Sequence, residues 1–195
     1  MWADGAKIGG GQSFNINQDR QTVSIKCPQD KVLIELNTKL NRTYLWFGEK
    51  SSRSYYRSNQ LAQDSNSFSG GMGGAGFGGG GGRIASKASK IYDNRKRDLV
   101  DAAEADEGSI AKLEKNKLPA EMQKMNLEER KKFIAQKAKE RKQIQEEIKK
   151  VAKEREAHLS KELAKLGNAN DTFGDAICEA VDVQLAKKGF GKSEK

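Results

Sequence analysis

Histidine, cysteine and proline are nearly missing from this 195-residue chain, which has one His, two Cys and two Pro. With so few soft ligands, no zinc cluster can be assembled locally, and no cysteine–histidine pattern suggests a catalytic thiol. Cys27 and Cys178 lie in different segments and read as unpaired thiols that behave as small apolar residues. Their spacing supports no disulfide and leaves the redox compartment undecided. Apolar residues make up 35% of the chain, below the roughly 45–50% of ordinary globular domains. Mean hydropathy is −0.83. One large core across the whole length is therefore excluded. A small core in the first third and a narrow helical seam later are what the composition permits. No apolar run is long enough to span a membrane. The opening MWADGAKIGGGQ has no apolar h-region, so no signal peptide is expected in this chain.

Charge is what the chain has in abundance. Lys and Arg number 36 against 27 Asp and Glu, a net +9. Residues 1–90 hold 12 cations and 6 anions (+6), and residues 91–195 hold 24 and 21 (+3). The most charged half is thus nearly balanced, as in a solvated helix laced with ion pairs.

Along the chain, SFNINQ and QTVSIKC alternate apolar and polar residues as half-buried strands do. Pro28 ends the ladder, and Asp30 is expected to cap a helix, or Pro28 to open it. In KVLIELNTKL, Val32, Leu33, Leu36 and Leu40 fall on one face, and Asn41 is the expected stop. TYLWF, 43–47, reads as a strand closed by Gly48. These elements are too few for an independent core, so Trp2, Phe14, Ile16, Ile25, Leu33, Leu36, Trp46 and Phe47 are expected to need a partner surface from upstream. Residues 49–83 read as a polar and Gly-rich linker. Its GMGGAG, 71–76, matches the dinucleotide fingerprint literally, but no strand precedes it and no acidic residue follows at the required distance.

Residues 84–118 read as a helical segment, with Ile84, Ala88, Ile91, Leu99 and Val100 apolar up to residue 107. Gly108 interrupts it, and Leu118 is held extended by Pro119. Residues 119–167 carry a long Lys/Glu-rich helix. Asn126 and Glu129 form a candidate capping box, and no Gly or Pro occurs from Glu128 to Leu166. Ile144, Ile148, Val151 or Ala152, Leu159, Leu163 and Leu166 step by three, four or seven residues and make one narrow apolar stripe. Lys137, Arg141 and Arg155 fall near that seam, so a strict heptad zipper is not expected. Residues 168–195 hold a short helix, with Phe173, Ile177, Val181 and Leu185 every four residues, and a tail. The two stripes together (Ile144, Ile148, Val151, Leu159, Leu163, Leu166, Phe173, Ile177, Val181, Leu185) are the candidate interaction surface.

Catalytic chemistry has little to stand on. His158 reads as a solvated helix histidine. The helix carboxylates have Lys or Arg partners three or four residues away, Glu146 with Lys149 or Lys150 for example. The RKRD at 95–98 and the Lys-rich helix have the charge to grip a phosphate backbone, and the YYR at 55–57, beside the Gly-rich tract, resembles single-strand binding segments; aromatic interleaving in residues 91–195 is thin.

The first 48 residues, WADGAKIGGGQSFNINQDRQTVSIKCPQDKVLIELNTKLNRTYLWFG, resemble the C-terminal end of a bacterial von Willebrand factor type A (VWA) domain. The stretches ASKASKIYDNRKRDLVDA, LPAEMQKMNLEERKKFIAQKAKERKQIQEEIKKVAKEREAHL and FGDAICEAVDVQLAKKGF resemble the tail of that protein group, in the same order. The resemblance implies a mixed fold: a small α/β remnant at 1–48, the linker, then mostly helix. Such domains bind a divalent metal through an Asp-x-Ser-x-Ser loop with oxygen ligands suited to Mg or Ca. No such loop occurs in this sequence, so no metal, cofactor or catalytic residue carries over. The resemblance also implies a periplasmic or extracellular setting, and that this chain is the C-terminal part of a longer protein. The expectation is a non-enzymatic interaction protein whose helical extension binds a protein partner or self-associates. The alternative is a nucleic-acid-binding protein using the Gly-rich tract and basic helix faces.

Overall fold

The computed structural model describes residues 2–11, 13, 25, 27–69, 80–111, 113–165 and 181–190. Its helices are α1 (Trp2–Ile8), α2 (Gln29–Asn41), α3 (Lys50–Ser69), α4 (Gly80–Lys87), α5 (Leu99–Ala105) and α6 (Leu127–Lys165), with 3-10 turns at Glu107–Ser109, Lys115–Lys117 and Ala120–Met122. Residues 181–187 are also helical.

The described part is mostly α, as the later two thirds of the sequence lead one to expect. The α/β remnant is not seen in it. The two expected strands SFNINQ and QTVSIKC fall almost wholly outside the described residues. The expected TYLWF strand does not form. Its backbone is extended but pairs through one isolated bridge, Trp46 with Asp98. Leu99 N donates to Leu45 O, and Phe47 N donates to Arg97 O. A strand needs a neighbouring strand, and here the neighbours are a turn and a helix start.

Pro28 stands at the N-cap of α2, with no side-chain cap, so Asp30 does not cap. Asp30 is buried in the first turn instead. Leu33, Leu36 and Leu40 point inward, while Val32 is exposed. They meet Ile84 and Ala88 from α4 and its exit, and Ile144 and Ile148 from α6, with Tyr44, Trp46, Tyr92 and Val151 around them. A second cluster gathers Leu45, Leu99, Val100, Ile110, Leu118, Met122 and Ile134, with Phe47 at its edge. The partner surface expected from upstream for Leu33, Leu36, Trp46 and Phe47 is thus supplied by the chain's own later helices. Residues 29–48 are built into the same body as α6.

The expected linker at 49–83 is corrected in both its described parts. Residues 50–69 form a helix of 20 residues, and α4 begins at Gly80. Residues 70–79, with GMGGAG, lie outside the described residues. The inward positions of α3 include Arg53, Tyr56, Gln60, Asp64 and Ser67, spaced three or four apart and almost all polar, with Ser52 and Asn59 beside them. That polar stripe hides the helix from a search for apolar periodicity. The helix expected up to residue 107 is also divided. It breaks after Lys87 into a turn through Asn94, and α5 restarts at Asp98, whose carboxylate accepts from Asp101 N. Ile91 sits exposed in that turn.

The C-terminal expectations hold better. Leu118 is extended before Pro119 (φ −79°, ψ 155°). The capping box forms reciprocally. Asn126 N donates to Glu129 Oε2 at 2.8 Å, and Glu129 N to Asn126 Oδ1 at 2.9 Å. The helix it opens runs 39 residues, about 58 Å at 1.5 Å per residue.

Candidate interaction surface and its charged joints

The inward line of α6 decides what its stripe can do. Ile134, Arg141, Ile148 and Arg155 recur every seven residues, so they occupy one strip of the helix. Ile134 enters the second cluster and Ile148 the first. The two arginines between and beyond them are charged joints.

Arg141 is buried, 5% exposed. Its Nη1 donates to Asp98 Oδ2 at 2.6 Å and Asp101 Oδ1 at 2.5 Å. Its Nε donates to Thr43 Oγ1 at 3.0 Å, and its Nη2 to Thr43 O at 2.7 Å. The guanidinium lies 4.4 Å from the Tyr44 ring centre. Burial opposes its charge, but Asp98 and Asp101 outweigh that and raise its pKa. Burial raises the pKa of Asp101, against the pull of Arg141. Burial likewise drives the Tyr44 phenol far up, so it stays neutral.

Arg155 Nε donates to Asp30 Oδ1 at 2.6 Å and joins α6 to the start of α2. Gly81 of α4 lies beneath this contact. A Cβ there would stand 2.8 Å from Arg155 Nε. Cys27 is buried beside the joint, and burial raises its thiol pKa despite Arg155.

A third joint holds α3. Lys87, 1% exposed, donates through Nζ to Asn37 Oδ1 (2.6 Å), Asn41 Oδ1 (2.7 Å) and Asp64 Oδ2 (2.9 Å). Asp64 also accepts from Arg83 Nε at 2.8 Å, Asn37 Nδ2 at 3.0 Å and Asn41 Nδ2 at 2.8 Å. Tyr92 donates to Gln60 Oε1 at 2.7 Å. Burial pulls the Lys87 ammonium down to about 8, even with Asp64 as partner. Burial works against the Asp64 carboxylate too, but bonds from Asn41, Lys87 and Asn37 leave its pKa below the ordinary value. These groups are consumed by one another. They form a staple of α2, α3 and α4 rather than an open reaction centre.

The sequence-derived surface residues separate into groups. Ile144 and Ile148 are core, and Val151 packs against them, so none of the three is free to meet a partner. Leu159 is half-buried, and Leu163 is 46% exposed. Val181 and Leu185 are exposed. Leu166, Phe173 and Ile177 lie outside the described residues. Sequence reasoning missed the joints at Asp30, Asp64, Lys87, Asp98, Asp101, Arg141 and Arg155. The one available signal was the arginines on the apolar stripe. The Glu146–Lys149 pair forms at 2.7 Å. Among the described residues, no group of three or more His, Cys, Asp or Glu is placed to hold a metal. No described helix is long and apolar enough to cross a membrane. No protein-family model, no curated protein and no solved structure matches the chain.

Proposed function

We propose that this chain is a non-enzymatic protein-interaction protein, the C-terminal portion of a VWA domain-containing protein, in which the outer end of α6 carries the docking face. The observation behind this reading is the stripe of α6. It is spent on the chain's own core as far as Val151, then runs on through half-buried Leu159 to exposed Leu163. The Arg141 and Arg155 joints anchor the helix, so that end is presented at a fixed angle. The enclosure of Lys87, Asp64, Arg141 and Asp98 within mutual bonds favours interaction over catalysis. The partner is protein, and a second copy of the chain is the one directly testable.

Sedimentation equilibrium of the full chain, beside Leu159→Lys/Leu163→Lys, tests the reading. Association that disappears in the variant, with helicity unchanged, supports it. A chain that stays monomeric throughout, or one that turns over a substrate saturably, refutes it.

A further inference from the structure

Away from α6, the extended segment after α2 and the first half of α3 build a second surface. Its spine is a column of rings. Tyr44 stacks on Trp46 with centres 5.0 Å apart and planes 10° from parallel. Trp46 meets Tyr56 at 6.2 Å, and Tyr56 meets Tyr55 at 6.0 Å. The column starts under Arg141 in the core and ends at Tyr55, which is 64% exposed. Arg97 lies over Tyr56, 5.6 Å from the ring centre.

Three pieces of chain meet around Phe47, Gly48 and Arg53, at the start of α3. Phe47 N donates to Arg97 O at 2.9 Å, and Gly48 N to Lys117 O at 2.8 Å. Arg53 Nη1 donates to Gly48 O at 2.6 Å and to Asn116 O at 2.7 Å. Residues 46–57, 95–97 and 114–117 together carry eight Lys/Arg and two Asp/Glu, a net +6 of the chain's +9. Glu114 is taken by Lys117 at 3.6 Å, and the neighbouring Asp93 by Arg95 at 2.7 Å. Lys50, Arg57, Lys96 and Arg97 are exposed, and Arg97 sits on the Tyr56 ring.

We propose that this basic aromatic ledge binds single-stranded nucleic acid. Each base offers a π face to a ring or a guanidinium, whatever its identity, and the flanking cations follow the phosphates. A duplex keeps its base faces stacked inside and cannot use the rings. An acidic peptide would use the charge but leave the exposed Tyr55 ring without a matching face. The ledge shares no residue with the outer end of α6, so each surface can fail without the other.

The test is fluorescence anisotropy of the full chain with labelled oligothymidine of about 15 nucleotides. Abasic oligomer of the same length, duplex DNA and poly-glutamate serve as competitors. Oligothymidine is expected to bind about tenfold tighter than its abasic counterpart. Raising salt from about 50 to 200 mM should weaken binding about a hundredfold, as expected for some five phosphate contacts on a single strand. Tyr55→Ala should abolish the preference for bases with helicity unchanged, and Arg57→Glu/Lys96→Glu should weaken both oligomers. No binding of oligothymidine at about 50 mM salt overturns the proposal. So does equal binding of the abasic oligomer, the duplex or poly-glutamate, which would assign the ledge to polyanions at large or to acidic protein.

Discussion

Replacing Arg141 by methionine removes a buried charge while keeping the apolar stem of the side chain. Four groups then lose a donor: the carboxylates of Asp98 and Asp101 and the hydroxyl and carbonyl of Thr43. Removing one partner of a buried pair costs about 3–5 kcal/mol, because the other charge stays behind. The structure places this case toward the lower end. Asp98 keeps bonds from Leu45 N at 2.6 Å and Asp101 N at 3.1 Å, and Asp101 keeps Asn94 N at 2.9 Å. The orphaned Thr43 carbonyl adds about 1 kcal/mol. A loss of about 3–4 kcal/mol is a large part of the roughly 5–15 kcal/mol of a whole domain. It lowers Tm by about 6–16 °C at roughly 2–4 °C per kcal/mol. Helicity at 222 nm followed against temperature and urea reads both. A variant within about 1 kcal/mol of the parent would refute the reasoning, since the joint would then be ornamental.

The pH dependence supplies a second, independent check. Asp101 has a raised folded pKa, so the folded state holds its proton more tightly than the unfolded state does. This group's contribution therefore improves as pH falls into the carboxylate range and worsens as pH rises through it. Loss of Arg141 raises that pKa further. The deficit of the methionine variant should shrink at acidic pH, and Arg141→Met/Asp101→Asn should flatten that dependence. Arg141→Lys should not rescue stability, because a single ammonium cannot span Asp98, Asp101 and Thr43 as a planar fork does.

Other expectations follow from the remaining joints. Asp64→Ala should strip hydrogen-exchange protection from residues 50–69 while leaving α6 protected, since α3 is held mainly through that carboxylate; equal loss in both helices would disprove this. Burial holds the folded pKa of Lys87 at about 8, below its ordinary 10.5. The unfolded chain therefore binds more protons between these values, and stability should rise with pH across that window. Lys87→Met should remove the rise, as urea midpoints measured along the pH series will show. Gly81→Ala should push Arg155 off Asp30, and a double-mutant cycle with Arg155→Met should then show strong coupling. Asn126→Ala should cost about 1 kcal/mol by loss of the cap, measured by urea denaturation.

The sequence was legible where helix signals are local. The capping box, the break at Pro119 and the uninterrupted run of α6 all depend on residues a few positions apart. It was misleading where a helix is held by distant polar partners. Residues 50–69 contain several Ser and Asn, which favour caps and turns in isolation. Their helix is secured by Asp64 reaching Lys87 and Arg83, and by Arg53 reaching Asn116, none of them near in sequence. TYLWF failed for a related reason. Its β-prone residues fill two apolar clusters from an extended backbone, and Leu45 N bonds to a carboxylate instead of a strand. The site residues Ile144 and Ile148 were legible as apolar and inward-facing, but periodicity alone does not say whether the covering surface belongs to the same chain or another.

The arginines on the stripe explain why α6 holds one register. Apolar faces alone tolerate sliding by a turn, because Ile148 could exchange places with Ile144 or Val151 at modest cost. A buried arginine cannot slide with them, since each step would leave it and its acids unpaired in the interior. Alternating Ile134, Arg141, Ile148 and Arg155 therefore places a specific contact after each apolar one. Asp98 and Asp101 fix the middle of the helix to α5, and Asp30 fixes it to α2. Past Arg155 the alternation stops: the heptad position is Glu162, and the adjoining stripe residue Leu163 is exposed. The helix is thus registered up to the point where its own core ends. On the docking role proposed for it, an end held that way would meet a partner already oriented, with little left to order on binding.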